Sequence, residues 1–284
     1  MNEIKKFRLS DNTFIRYKKI GKGSPLILLH TIRNRLEYCE EVASLLKNVY
    51  TVYLIDLPGF GDSSINTKTN YDQFFMTRSI LDFIKEKKLS NVTLAGESIG
   101  AVLGVTVANS IPKKIKHIFC FNPYDYAKKF GDGINRGNFF SKFILFHLGL
   151  PVVGNLFVRL ENKIILKQIL SGGFYNKKKL LPDYLDLLCK SFNNPGYFYH
   201  FKNVLSNYGS WNKSNGFYET LKTKKTLVYG KFDWSTENER EKAMNLLGLK
   251  KKTILEECGH FSFLEAPERV ANIISKPKIM KSLG

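Results

Sequence analysis

Cysteine is scarce. Cys39, Cys120, Cys189 and Cys258 are spread so widely over 284 residues that no CxxC pair and no metal-like cysteine–histidine spacing arises. That excludes a disulfide framework or a cysteine-bound metal as the organising principle, and reduced, mostly buried thiols are expected. Long hydrophobic runs are also missing. The longest stretch without charge, "FILFHLGLPVVGNLFV" from Phe143 to Val158, is too short to span a bilayer and carries Pro151, two glycines and His147. The opening "MNEIKKFRLSDNTF" has no apolar segment of the kind found in signal peptides, so a cytoplasmic location is expected. Acidic residues are few beside basic ones, 25 against 44, leaving a net charge of +19. Such a charge raises nucleic acid or an anionic membrane as partners. Its distribution argues against a dedicated nucleic-acid stripe, and no nucleic-acid partner is expected. Residues 124–218 carry 13 Lys/Arg against 5 Asp/Glu, and the excess elsewhere is similarly diluted in short runs such as "TKKT" and "LKKKT".

What the chain does have is alternation. Apolar runs bounded by turn residues occur at "PLILLH" (Pro25 to His30), "YTVYLIDL" (Tyr50 to Leu57), "NVTLAG" (Asn91 to Gly96) and "IKHIFCFN" (Ile115 to Asn122). They suit strands buried on both faces of a parallel sheet, after an opening hairpin turned at "DN". Between them lie helical segments. One is marked by Phe74, Phe75, Leu81 and Ile84, with Asn70 as its expected N-cap. The alternation stops after Asn122 and resumes at "KTLVYGKFD" (Lys225 to Asp233), a charged helix from Glu237 to Leu247, "KTILEECGH" (Lys252 to His260) and a helix opened by Pro267. Strand, helix, strand in succession predicts a doubly wound sheet. The strand-free block between reads as a helical cap, giving a core of residues 1–123 and 216–284 and a cap of 124–215.

The chemistry centres on Gly96-Glu97-Ser98-Ile99-Gly100, a G-x-S-x-G pattern that follows a strand and precedes the helix "IGAVLGVTVANS". So sharp a turn leaves no room for side chains at its flanks, which accounts for Gly96 and Gly100. It also lifts the Ser98 hydroxyl clear of the sheet at a helix N-terminus. A serine needs a base and an orienting acid. Of the five histidines, His30 and His117 bound strands, and His147 and His200 fall in the cap block. His260 follows the last strand beside a glycine and is the candidate base. Asp233, at the end of the preceding strand, is the favoured acid, and Asp125, just past "IFCFNP", is its rival. Asp56, Gly59, Gly61 and Ser63 read as loop architecture, and Glu97 is assigned no chemistry.

These landmarks, "LILLH", "LIDLPGFGDSS", "AGESIG", "YGKFDW" and "CGHFSFLEAPERV", resemble the α/β-hydrolase superfamily over essentially the whole chain. The resemblance implies an eight-stranded, mostly parallel sheet with a helical lid after the sixth strand, and acyl-transfer chemistry without metal or cofactor. It also implies an oxyanion hole from the backbone N–H groups of Ile32 and Ile99. Relatives continue "LLH" with glycine, whereas Thr31 stands here and is expected to limit the loop. Thr31, Arg33 and Asn34 are candidate pocket residues, with solvated loop positions as the commoner outcome for Arg33 and Asn34. The expected activity is hydrolysis of a carboxylic ester, thioester or lactone. The block 124–218 holds 20 of the 38 aromatic residues, which suggests apolar walls for the substrate and leaves contact with a lipid surface open. The alternatives are a ligand-binding or signalling protein on this fold, or a C–C hydrolase, acyltransferase or perhydrolase.

Overall fold

A computed structural model describes residues 3–126, 131–140, 142–143, 161–207, 209–212 and 215–282, without the side chains of residues 212 and 277–282. The uncharged stretch beyond Phe143, with His147, lies outside the described residues.

The chain opens as expected. Strands β1 (Ile4–Arg8) and β2 (Phe14–Ile20) pair antiparallel, and Asn12 takes the left-handed turn position at φ 66°, a conformation asparagine tolerates. Six strands follow: β3 (Ser24–Leu29), β4 (Tyr50–Ile55), β5 (Val92–Glu97), β6 (Ile115–Phe121), β7 (Lys225–Gly230) and β8 (Thr253–Leu255). They complete an eight-stranded sheet in the order β1-β2-β4-β3-β5-β6-β7-β8, parallel from β4 onward. Helices α1 (Glu40–Leu46), α2 (Gln73–Glu86) and α3 (Ile99–Ser110) connect the parallel strands. Covered by helices, the central strands need no polar face, and Leu26 to Leu29 are wholly buried.

Two sequence expectations about α2 are corrected. Its N-cap is Asp72, not Asn70: the Asp72 carboxylate accepts from the Phe75 amide at 2.8 Å, while Asn70 bonds Asp72 and Asn207. The buried stripe runs through Met76, Ile80, Phe83 and Ile84, whereas Phe74 turns outward at 57% exposure.

Between β6 and β7, no strand occurs among the described residues. Helices α4 (Lys163–Ser171), α5 (Pro182–Lys190) and α6 (Tyr197–Ser206) rest on the loops that leave the carboxyl ends of the parallel strands. Arg35 donates to the Leu187 carbonyl, Asn194 to that of Gly61, and His200 contacts the Pro58 carbonyl. Helices α7 (Glu237–Leu246) and α8 (Pro267–Ser282) close the fold, α7 under a Thr236–Glu239 capping box. No described helix is long and apolar enough to cross a membrane.

The sheet order reverses at β3, with β4 on one side and β5 on the other. A crevice therefore opens beyond the carboxyl ends of β3 and β5, where their loops diverge. Leu29 and Gly96 are register partners, so the two loops leave the sheet level with each other. The loop after β4 is tied down by the buried Asp56, which accepts from Arg16 Nε at 2.5 Å, the Leu36 amide at 2.6 Å and the Asp62 amide at 2.8 Å. Gly61 presses against that carboxylate, leaving no room for a Cβ.

The buried Arg16 guanidinium also meets Glu37 at 2.8 Å and Asp62 at 2.7 Å, so removing Asp56 takes away one of its three carboxylates and leaves the Leu36 and Asp62 amides without their acceptor. Asp56→Ala should lower the unfolding free energy by about 3–5 kcal/mol, read as a lower urea midpoint at unchanged slope. An unchanged midpoint would mean that Glu37 and Asp62 satisfy Arg16 by themselves.

Candidate active site

The sharp turn required by the glycines is present. Ser98 sits at φ 58°, ψ −120°, left-handed for a residue with a side chain. A Cβ on Gly96 would strike the Gly100 carbonyl, and one on Gly100 would strike that of Leu29. The Ser98 amide is anchored to the Phe121 carbonyl at 3.0 Å. Its side chain makes no capping bond to α3, so the hydroxyl is left to the crevice.

His260 is fully buried, and its Nδ1 lies 2.5 Å from Asp233 Oδ1. The other Asp233 oxygen accepts from the Ser235 amide at 3.0 Å and from its hydroxyl. Burial alone would raise Asp233, but the imidazole and Ser235 hold its carboxyl below the ordinary value. With Nδ1–H donated to Asp233, Nε2 becomes the basic nitrogen, and among the described residues it is buried without a hydrogen-bond partner. No Ser98–His260 hydrogen bond is formed among the described residues, as is common before substrate tightens such a site. Asp125 is also buried, with its carboxyl pushed up to about 7 by that burial, but it does not contact His260.

Beneath this pair lies a network that the sequence did not disclose. Asn122, left-handed at φ 44°, donates to the His260 carbonyl at 2.9 Å and to Glu97 Oε1 at 3.1 Å, and accepts from the Gly230 amide at 2.7 Å. One side chain thus joins the loops that carry Ser98, Asp233 and His260. Glu97 also accepts from the Ser262 amide at 2.9 Å, the Ser262 hydroxyl and the Tyr38 hydroxyl. Burial pushes its carboxyl up to about 7 against those donors and the His260 charge.

Ser98 opens on a chamber of about 30 Å³ walled by Ile32, Ile99, Tyr124, Ile134 and both tryptophans, Trp211 and Trp234. That is room for about one water, so any acyl group must part these walls. A second chamber of about 30 Å³ shares Ile32, Ile134 and Trp234 and extends to Ile169, Leu170 and Phe261. The Ile32 and Ile99 amides face no acceptor among the described residues.

In the loop after β3, Thr31 takes no left-handed conformation, whereas Arg33 does, at φ 58°. The loop departs from expectation in not being solvated, since Thr31 and Asn34 are buried and the Arg33 side chain is only 10% exposed. Arg33 pairs with Glu161 and lies over the Phe201 ring at 4.6 Å, and Asn34 accepts from the Tyr184 hydroxyl. His30 is a buried structural residue. It is pushed down to about 4 by burial, bonded through Nδ1 to the Thr31 carbonyl and accepting from the Leu57 amide at Nε2. His117 and His200 are likewise buried, pushed down to about 4 and about 3.

A family model described as the alpha/beta hydrolase fold matches residues 24–142. That match includes Ser98 and stops short of Asp233 and His260. The chain is 29% identical over 118 residues to (E)-2-((N-methylformamido)methylene)succinate hydrolase of Acinetobacter baylyi, covering 42% of this chain and 44% of that protein. It is 28% identical over 120 residues to Lipase 1 of Psychrobacter immobilis, covering 41% and 38% respectively. The chain thus spans under half the length of these curated relatives. Among solved structures, Cfl2 of Burkholderia cenocepacia superposes with a TM-score of 0.78 at 17% identity, covering 96% of this chain and 94% of that one.

Glu97 links the site to stability. Its carboxyl, raised by burial from 4.5 to about 7, keeps a proton in the folded chain that the unfolded chain has released, so stability falls as pH rises between those values. The total is about 3 kcal/mol. Glu97→Gln should flatten the urea midpoint between about pH 5 and pH 7. Equal slopes in both proteins would mean that folded Glu97 is ionised throughout.

Proposed function

We propose that this chain, whose residues 24–142 match the alpha/beta hydrolase fold model, is a serine hydrolase acting on a carboxylic ester, thioester or lactone. The observation that carries this reading is the buried His260, with Asp233 on one ring nitrogen and the other without a hydrogen-bond partner among the described residues. Ser98 Oγ attacks the substrate carbonyl while His260 Nε2 takes its proton. The Ile32 and Ile99 amides receive the oxyanion. Collapse expels the alcohol or thiol, which takes the proton back from Nε2, and water then releases the acyl group by the same route. Asp233 holds the imidazole tautomer and stabilises its charge throughout. No metal or cofactor enters this scheme.

Residues 124–215 act as the cap in this reading. The chamber walls include isoleucine, tyrosine and tryptophan, no cation lines it among the described residues, and Arg33, on the adjoining chamber, is paired with Glu161. An apolar acyl or alcohol group therefore fits better than a charged one. The relatives named as a lipase and a succinate hydrolase support hydrolysis as the reaction class.

The small chamber favours one competing reading, a protein that keeps the fold to bind a ligand and turns it over slowly. Turnover separates the two. On p-nitrophenyl esters the parent protein should turn over repeatedly, and Ser98→Ala and His260→Gln should each lose about three decades or more of kcat. Equal rates for Ser98→Ala and the parent contradict the hydrolase. Labelling of Ser98 by a fluorophosphonate without repeated turnover favours the ligand-binding reading.

A further inference from the structure

The residue after the proposed acid is a tryptophan, and neither the sequence reading nor the triad gives it a task. In the structure the Trp234 ring lies face to face with His260, centroids 4.1 Å apart and planes 21° from parallel. The indole is itself held from the cap side, its Nε1–H donating to the Gly172 carbonyl at 3.0 Å. The next residue of the cap binds the histidine directly, the His260 amide donating to the Gly173 carbonyl at 2.6 Å. Gly173 packs so closely that a Cβ would strike the rings of both Trp234 and Phe261. On its other side, the Trp234 carbonyl accepts from Arg136 at 2.9 Å, and Arg136 is fixed by Glu239. Two separate parts of the segment between β6 and β7 therefore meet on the residue that covers the imidazole.

We propose that Trp234, clamped by Gly172 and Gly173, is a positioning residue for His260 and makes the seating of the cap a condition for a competent base. The inference rests on the proposed triad. An imidazole bonded at one nitrogen only can still swing about its Cβ, and a mislaid reacting group costs rate steeply. A flat ring at van der Waals distance removes that freedom, and its π-face favours the imidazolium formed during proton transfer. Among the described residues, the titratable groups around the ring include Asp233, bonded to it, Tyr124, edge-on to it, and Glu97, coupled to it electrostatically. The coupling also gives substrate binding a consequence, because walls that part to admit an acyl group include the same indole.

The stack can be read without any substrate. Contact with a protonated imidazole quenches indole emission, and the chain has only two tryptophans. In a Trp211→Phe background, Trp234 emission should rise as His260 loses its proton, and His260→Gln should abolish that step. In ester hydrolysis, Trp234→Leu should lower kcat by about tenfold or more, with Trp234→Phe, which keeps a flat ring but loses the bond to Gly172, recovering part of it. Gly173→Ala should weaken the emission step and lower kcat with the indole intact. Emission without a pH step, or a step that survives His260→Gln, overturns the proposal. So does a Trp234→Leu or Gly173→Ala protein that keeps the parent kcat. If the parent hydrolyses no ester, the proposed function fails while the emission experiment still decides the clamp.

Discussion

The backbone at Ser98 governs the site. A left-handed conformation at a residue with a side chain costs about 1–2 kcal/mol, and the chain accepts it because its surroundings are fixed. Gly96 and Gly100 allow β5, α3 and the end of β3 to approach within carbonyl contact, and the Ser98 amide is tied to the neighbouring strand at Phe121. Three consequences follow from that approach. The hydroxyl points away from its own helix, the first amides of α3 face the crevice, and the loop after β3 comes alongside. Relaxing the turn would undo all three together.

Around that turn the molecule concentrates groups that are costly to bury. His260, Asp233 and Glu97, far apart in the sequence, are buried side by side through His260–Asp233 and Asn122. Asn122 satisfies donors and acceptors on the three loops that carry them, in a left-handed conformation that asparagine tolerates better than most residues. Glu97 shows the cost most clearly, since even four donors leave its carboxyl above the ordinary value. Such a cluster is poor as a source of stability and good as a fixed frame, because a buried polar group that shifts loses partners it cannot replace.

The parts legible in the sequence are those fixed by local rules. Buried parallel strands show as uncharged apolar runs, and the elbow shows because steric contact demands glycine at two positions. The order of Ser98, Asp233 and His260 is readable because each follows a strand. What escaped depends on contacts between distant segments. Arg33 looks like a solvated loop residue until Glu161 is brought to it, and Asn122 looks like a strand-ending turn until the loops after β5, β7 and β8 converge. Asn70 and Asp72 are equally good caps by type, and only the backbone path decides that Asp72 reaches the Phe75 amide. Trp234 stood in a recognised landmark, yet its stack on His260 arises from the meeting of two loops.

The central claim is that the hydroxyl at the strained turn, the imidazole Nε2 and the Ile32 and Ile99 amides surround one reacting carbon. A crystal structure of the protein inactivated by an alkyl phosphonate p-nitrophenyl ester tests it directly. The account predicts phosphorus bonded to Ser98 Oγ, the phosphonyl oxygen within hydrogen-bond distance of the Ile32 and Ile99 amides, and His260 Nε2 against the remaining oxygen. Phosphorus on another residue, or a phosphonyl oxygen turned away from both amides, would contradict it.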